Sequence, residues 1–66
     1  MIIQYKVLIQ VKGGLLTTGT ILFEPTPYLP SVEDLVDSTI TVDVKDSNGN
    51  TSKVRGRLIE ILEQED

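Results

Sequence analysis

Residues 3–24 read IQYKVLIQVKGGLLTTGTILFE, and this stretch decides the fold. Apolar and polar side chains alternate over residues 3–12, which is the two-residue period of a half-buried strand. The pair Gly13 and Gly14 can supply the positive φ angles of a tight connection. Residues 15–24 are rich in threonine and branched side chains, which are typical of strands. The stretch therefore predicts a β-hairpin.

The segment after this hairpin cannot continue a central strand. Residues 24–30 contain three prolines, which remove ladder donors and force extended geometry on the residues before them. A stiff loop is therefore expected. Ser31, followed by Glu33 and Asp34, has the pattern of a helix N-cap with acids in the first turn. We expect one short helical turn near residues 32–37.

A second hairpin follows. Alternation over residues 39–46 predicts a third strand, and residues 46–50, DSNGN, form the strongest turn signal in the chain. A two-residue loop would put apolar and charged side chains on the same face of the sheet. We therefore favour a three-residue loop with Gly49 in the left-handed conformation, which pairs Val42 with Val54. A five-residue loop satisfies the same parity.

The last segment breaks the alternation, because Leu58 and Ile59 are both apolar. One interpretation is a fourth strand that bulges and continues to about Glu63. The other is a short terminal helix that begins with Leu58, Ile61 and Leu62. The branched residues favour the strand.

These elements predict one all-β, mainly antiparallel domain spanning residues 1–66. Four to five short strands suit a small SH3-like barrel or curled sheet, whose closure removes exposed edges. Gly19, in the middle of the second strand, indicates a bulge or a sharp coil. The core of so short a chain is thin, and the chain has no Cys or His to form disulfides or soft-metal sites. We therefore expect support from a second subunit or a larger assembly.

The composition argues against catalysis. Hydrophobic residues make up 39% of the chain against 24% charged, as in a folded protein. Without His or Cys, the chain lacks the commonest general base near neutral pH and the strongest side-chain nucleophile. Gly13 and Gly14 lack the later glycine and the Lys-Ser/Thr pair of a phosphate-binding loop. We expect no catalytic residues, no cofactor and no enzymatic activity.

A metal site is not expected either. Asp46, Asn48 and Asn50 have the one-three-five spacing of a calcium loop. However, Thr51 stands where that loop needs glycine, and Arg57 stands where it needs a bidentate glutamate. The three side chains are therefore interpreted as parts of a hairpin turn.

The last hairpin is locally basic. Lys53, Arg55 and Arg57 alternate and so share one strand face, which Lys45 joins from the neighbouring strand. This face could bind phosphates, as in a nucleic-acid-binding barrel, or an acidic protein. Alternatively it is a solvated surface on which Asp43 pairs across the strands. A net charge of −4 and a pI near 4.5 make nucleic acid the less favoured partner.

An aromatic side chain is also predicted to be available for binding. Tyr5 and Phe23 lie in strands and are expected in the core, which leaves Tyr28 in the stiff loop. The candidate protein-binding residues are Pro27, Tyr28, Leu29 and Pro30. Prolines that stiffen the loop would reduce the entropy lost on binding. Alternatively, the loop folds back over the end of the barrel.

The sequence thus favours a non-enzymatic protein–protein interaction module. It would act as an accessory subunit of a larger assembly, by binding another protein or itself, or as an inhibitor that docks on a larger protein. No apolar run approaches the roughly 20 residues of a membrane span, and the first twenty residues lack the features of a signal peptide. We expect a cytoplasmic protein with no membrane contact.

Overall fold

The computed structural model describes residues 1–65 as four strands and one 3₁₀ turn. The elements are β1 Ile3–Gln10, β2 Leu16–Phe23, the 3₁₀ turn Val32–Leu35, β3 Thr39–Lys45 and β4 Thr51–Glu65. All neighbouring strands are antiparallel, and the ring closes in the order β1-β2-β3-β4 because β4 also pairs with β1. The prediction of a small, antiparallel all-β barrel or curled sheet is confirmed. The likeness to an SH3 barrel in particular stays a prediction.

The first hairpin closes through two glycines. The Val11 N–H donates to the Leu15 carbonyl at 2.8 Å, and the Gly14 N–H donates to the Val11 carbonyl at 3.0 Å. Gly13 and Gly14 have φ angles of 93° and 86°, which side chains other than glycine adopt only with strain. The ladder between β1 and β2 then runs over eight residue pairs without a register shift. Gly19 therefore marks no bulge in this ladder, and the alternative of a sharp coil in β2 stays a prediction.

The second hairpin has the predicted register, with Val42 opposite Val54. The Asp46 N–H donates to the Asn50 carbonyl at 2.9 Å, and the Gly49 N–H donates back to the Asp46 carbonyl at 3.1 Å. Gly49 has a φ of 84°. These bonds close a three-residue loop with a left-handed glycine, as predicted. The regular ladder begins at the next pair, Lys45 with Thr51.

The long fourth strand bends around the ring. Fifteen residues at about 3.3 Å each would span about 50 Å, yet the longest dimension of the molecule is 36 Å. Two register shifts against β1 leave Ile59 and Leu62 without an opposite residue. These bulges increase the bend of β4. The bulged strand predicted from the Leu58-Ile59 break is confirmed, and it continues to Glu65; Asp66 lies outside the described residues.

The core is formed by the inward side chains of all four strands and by the 3₁₀ turn. The buried apolar residues are Val7, Ile9, Ile21, Phe23, Val32, Val42 and Leu58. Val32 is only 6% exposed, so the turn closes the end of the barrel where β2 ends and β3 begins. The predicted helical turn near residues 32–37 is present as this shorter 3₁₀ segment.

The ring is weakest between β2 and β3. These strands share one ladder pair, Thr20 with Asp43, whereas the β1–β4 and β3–β4 ladders have seven pairs each. At this seam the backbone of Gly19 lies against Val42, and a Cβ on Gly19 would stand 2.4 Å from Val42 Cγ2. Glycine is therefore required by the close approach of the two strands.

Candidate functional site

The Tyr28 loop, defined as residues 24–31, is held by its own hydrogen bonds. The Thr26 N–H donates to the Leu29 carbonyl, and the Leu29 N–H donates to Thr26 Oγ1, both at 3.0 Å. These two bonds join the ends of a four-residue turn that carries Pro27 and Tyr28 at its tip. Because proline also fixes one backbone angle, the tip has little freedom.

The base of the loop is anchored in the barrel. After Pro30, the Ser31 hydroxyl accepts from the Glu33 N–H, and the Asp34 carboxylate accepts from the Ser31 N–H, both at 3.3 Å. This capping box begins the 3₁₀ turn. The next residue, Val32, is buried in the core. The loop therefore leaves the sheet at one strand end and returns to the core immediately after its tip.

The tip projects into solvent. Tyr28 is 94% exposed and Leu29 is 40% exposed, and both flanking prolines are exposed as well. The loop does not fold back over the barrel end, where Val32 is buried instead. The other aromatic residues were correctly assigned to the interior: Phe23 is buried, and half-buried Tyr5 meets it edge-on at a centroid distance of 6.4 Å.

The predicted basic face lies on the outer surface of the β3–β4 hairpin. We define it as the four exposed cations Lys45, Lys53, Arg55 and Arg57. Lys53 Nζ contacts the Asp43 carboxylate at 2.8 Å, which is the cross-strand pair expected from the sequence. The face is therefore partly neutralised by its own sheet.

A second ion pair on this face was not predicted. The Arg57 guanidinium contacts the Asp37 carboxylate at 3.2 Å. Asp37 has a φ of 75°, and its N–H donates to the Leu58 carbonyl at 2.8 Å, which places it beside β4. Both ion pairs are exposed, so each stabilises the fold by at most about 1 kcal/mol. Among residues 1–65, Lys45 and Arg55 form no ion pair.

A polar groove over the seam between β2 and β3 was also missed by the sequence analysis. This seam groove is defined by the residues that line the part beside Lys6, namely Lys6, Thr18, Gly19, Thr20, Asp43, Lys45 and Glu65. That part has a volume of about 170 Å³, and an adjoining part beside Gln4 and Thr51 has about 380 Å³. Alternation could place single side chains on the outer face, but it could not show that three strands and the end of β4 converge there.

The described part of the chain forms neither a cluster of metal-binding side chains nor a membrane-spanning helix. Within residues 1–65, no three acidic side chains are placed to hold a metal ion. The Asp46 carboxylate accepts from the N–H groups of Asn48 and Asn50, both at 2.9 Å, so it stabilises the hairpin turn. No helix formed by these residues is long and apolar enough to span a membrane.

No family model matches the sequence, and no curated protein or solved structure is significantly similar to it. Function is therefore inferred from the geometry of the chain itself.

Proposed function

We propose that this protein is a non-enzymatic protein-binding module that docks on a larger protein through the Tyr28 loop. It acts as an accessory subunit of an assembly or as an inhibitor. The observation that carries the proposal is the position of Tyr28, 94% exposed at the tip of a four-residue turn whose ends, Thr26 and Leu29, are hydrogen-bonded to each other. A cytoplasmic location is part of the proposal, and the absence of cysteine is compatible with it.

The stiffness of the loop favours binding. A protein interface immobilises side chains and loops, at about 0.5–1.5 kcal/mol per flexible side chain. Tyrosine has only two side-chain torsions, and the turn around Pro27 is already fixed in the free protein. Tyr28 can therefore bury a large aromatic surface with a small loss of entropy. Tyrosine is also among the residues most often found at energetic centres of interfaces.

Charge around the loop indicates the electrostatic character of the partner. No Lys or Arg occurs within residues 13–44. Glu24, Glu33 and Asp34 are exposed around the Tyr28 loop and form no ion pair among the described residues. A partner with a basic rim around its tyrosine pocket would therefore associate faster, and the acidic loop would repel a partner with an acidic rim.

Affinity capture from host extract tests the proposal, using the tagged protein with and without nuclease. The expected result is a stoichiometric protein that survives nuclease and is lost with Tyr28→Ala. Leu22→Ala is the matched control, because Leu22 is 68% exposed but lies in β2, outside the loop. An unchanged melting temperature shows that each variant is folded. A partner retained by Tyr28→Ala would refute the role of the loop.

The basic face supports a second candidate function, nucleic-acid binding. Lys45 and Arg55 have no ion pair among the described residues, so both are free to contact phosphates. The net charge of −4 opposes this function. If it is correct, Arg55→Ala and Arg57→Ala weaken binding to an oligonucleotide and flatten its salt dependence. An oligonucleotide affinity unchanged by both substitutions rules it out.

A further inference from the structure

We propose that the seam groove is a binding site for a small oxyanion, such as a phosphate or carboxylate group, held between Lys6 and Lys45. The part of the groove that both lysines line has about 170 Å³, which is room for one ionic group, and it opens into the adjoining part of about 380 Å³. The site does not involve the Tyr28 loop.

The fold places two free ammonium groups at this groove. Lys6 lies between inward-facing Tyr5 and Val7 on β1 and is opposite Thr20 of β2, so it is on the outer face of the barrel. Lys45 reaches the same groove from the last position of β3. Neither lysine forms an ion pair or a side-chain hydrogen bond among residues 1–65.

Two threonine hydroxyls add further hydrogen-bond donors to the groove. Thr18 and Thr20 occupy alternate positions on the outer face of β2 and line the groove. Within the described residues, no side-chain hydrogen bond engages either hydroxyl. Ammonium and hydroxyl groups are the donors that an oxyanion accepts from, and bonds that involve charged groups are the stronger kind.

Two carboxylates at the groove set its selectivity. Asp43 is already neutralised by Lys53 at 2.8 Å. Glu65 is half-buried at the groove and pairs with no cation among residues 1–65, so it repels an anion. Its effect is opposite to that of the lysines. Replacing Glu65 should strengthen oxyanion binding, by about three- to fivefold for one repulsion across 4–6 Å of well-solvated groove.

The test is a titration of the ¹⁵N-labelled protein with inorganic phosphate and, separately, acetate, at constant ionic strength set with sodium chloride. Amide shifts of Thr18, Thr20 and Lys45 report binding at the groove. We expect saturable shifts with at least one anion, and the ratio of the two affinities tells a phosphate site from a carboxylate site. Chloride alone should give none.

The proposal predicts how substitutions at the groove change the affinity for the anion. Lys6→Gln and Lys45→Gln should each weaken binding by about fivefold, and Glu65→Gln should strengthen it. Lys12→Gln is the matched control, because Lys12 is an exposed lysine in the first hairpin turn, away from the groove. Misfolding can lower the affinity for the anion but cannot raise it, so it could not produce the gain expected for Glu65→Gln. Shifts that do not saturate, or equal affinities in all five proteins, would overturn the proposal.

Discussion

Replacing Gly19 with alanine perturbs the seam between β2 and β3 directly. The new Cβ would stand 2.4 Å from Val42 Cγ2, 2.9 Å from Val42 Cβ and 3.1 Å from the Asp43 carbonyl oxygen. Rotation of the valine side chain can relieve only the first of these contacts, because its Cβ is fixed to the backbone. The strands must therefore move apart where a single ladder pair joins them.

The expected net cost is about 1–2 kcal/mol. Overpacking a core typically costs about 1–3 kcal/mol, and Val42 is only 1% exposed, so it cannot swing into solvent. Alanine also restricts the unfolded chain, and this offsets about 0.4–1 kcal/mol of the cost. In a domain of this size, 1 kcal/mol changes the melting temperature by about 4–8 °C. Urea unfolding followed by circular dichroism measures the change in the free energy of unfolding.

A double-mutant cycle assigns this cost to the contact. In a Val42→Ala background Cγ2 is absent, so Gly19→Ala should cost at least about 0.5 kcal/mol less than in the wild type. Gly13→Ala is the control: it is strained by its φ of 93° but has no atom within 4 Å, so it should add independently to Val42→Ala. All variants are compared in the same stabilising osmolyte. Additive effects for Gly19 and Val42 would refute the reasoning.

Three further predictions follow from the packing. Leu58→Ala, which empties a fully buried site, should destabilise the fold by about 2–5 kcal/mol; a loss below about 1 kcal/mol in urea unfolding would contradict the position of Leu58 in the core. Lys53→Ala breaks an exposed pair with Asp43, so the free energy of unfolding should fall by less than about 1 kcal/mol. Amide hydrogens of β3 that face the seam should exchange faster than those shared by β1 and β2; equal protection in hydrogen exchange would show that the seam is no weaker than the other ladders.

Local features of the fold could be predicted from the sequence. The period of two located the strands, and the parity of the second hairpin gave the pairing of Val42 with Val54. The two adjacent apolar residues Leu58 and Ile59 indicated one bulge in β4. The second bulge, at Leu62, was not predicted, because it depends on how β4 follows the curvature of β1.

Features that depend on distant neighbours could not be predicted. The contact that requires glycine at position 19 was not predicted, because the residue that Gly19 approaches lies on β3, which is remote in sequence. For the same reason the pairing of Arg57 with Asp37 was missed, along with the groove that joins Lys6 to Lys45. The stiff loop around Tyr28 could be predicted because proline acts on its immediate neighbours, but the sequence left open whether its tip is exposed or folds back over the barrel.

The most direct test of the proposed function is the affinity of the captured partner, purified, for the wild-type protein and for Tyr28→Ala. Loss of an aromatic residue at the centre of an interface typically costs 2 kcal/mol or more, about a thirtyfold rise in Kd. We predict at least this rise for Tyr28→Ala and less than a twofold change for Leu22→Ala. A Kd that Tyr28→Ala changes by less than twofold, with the fold intact, would contradict docking through the loop.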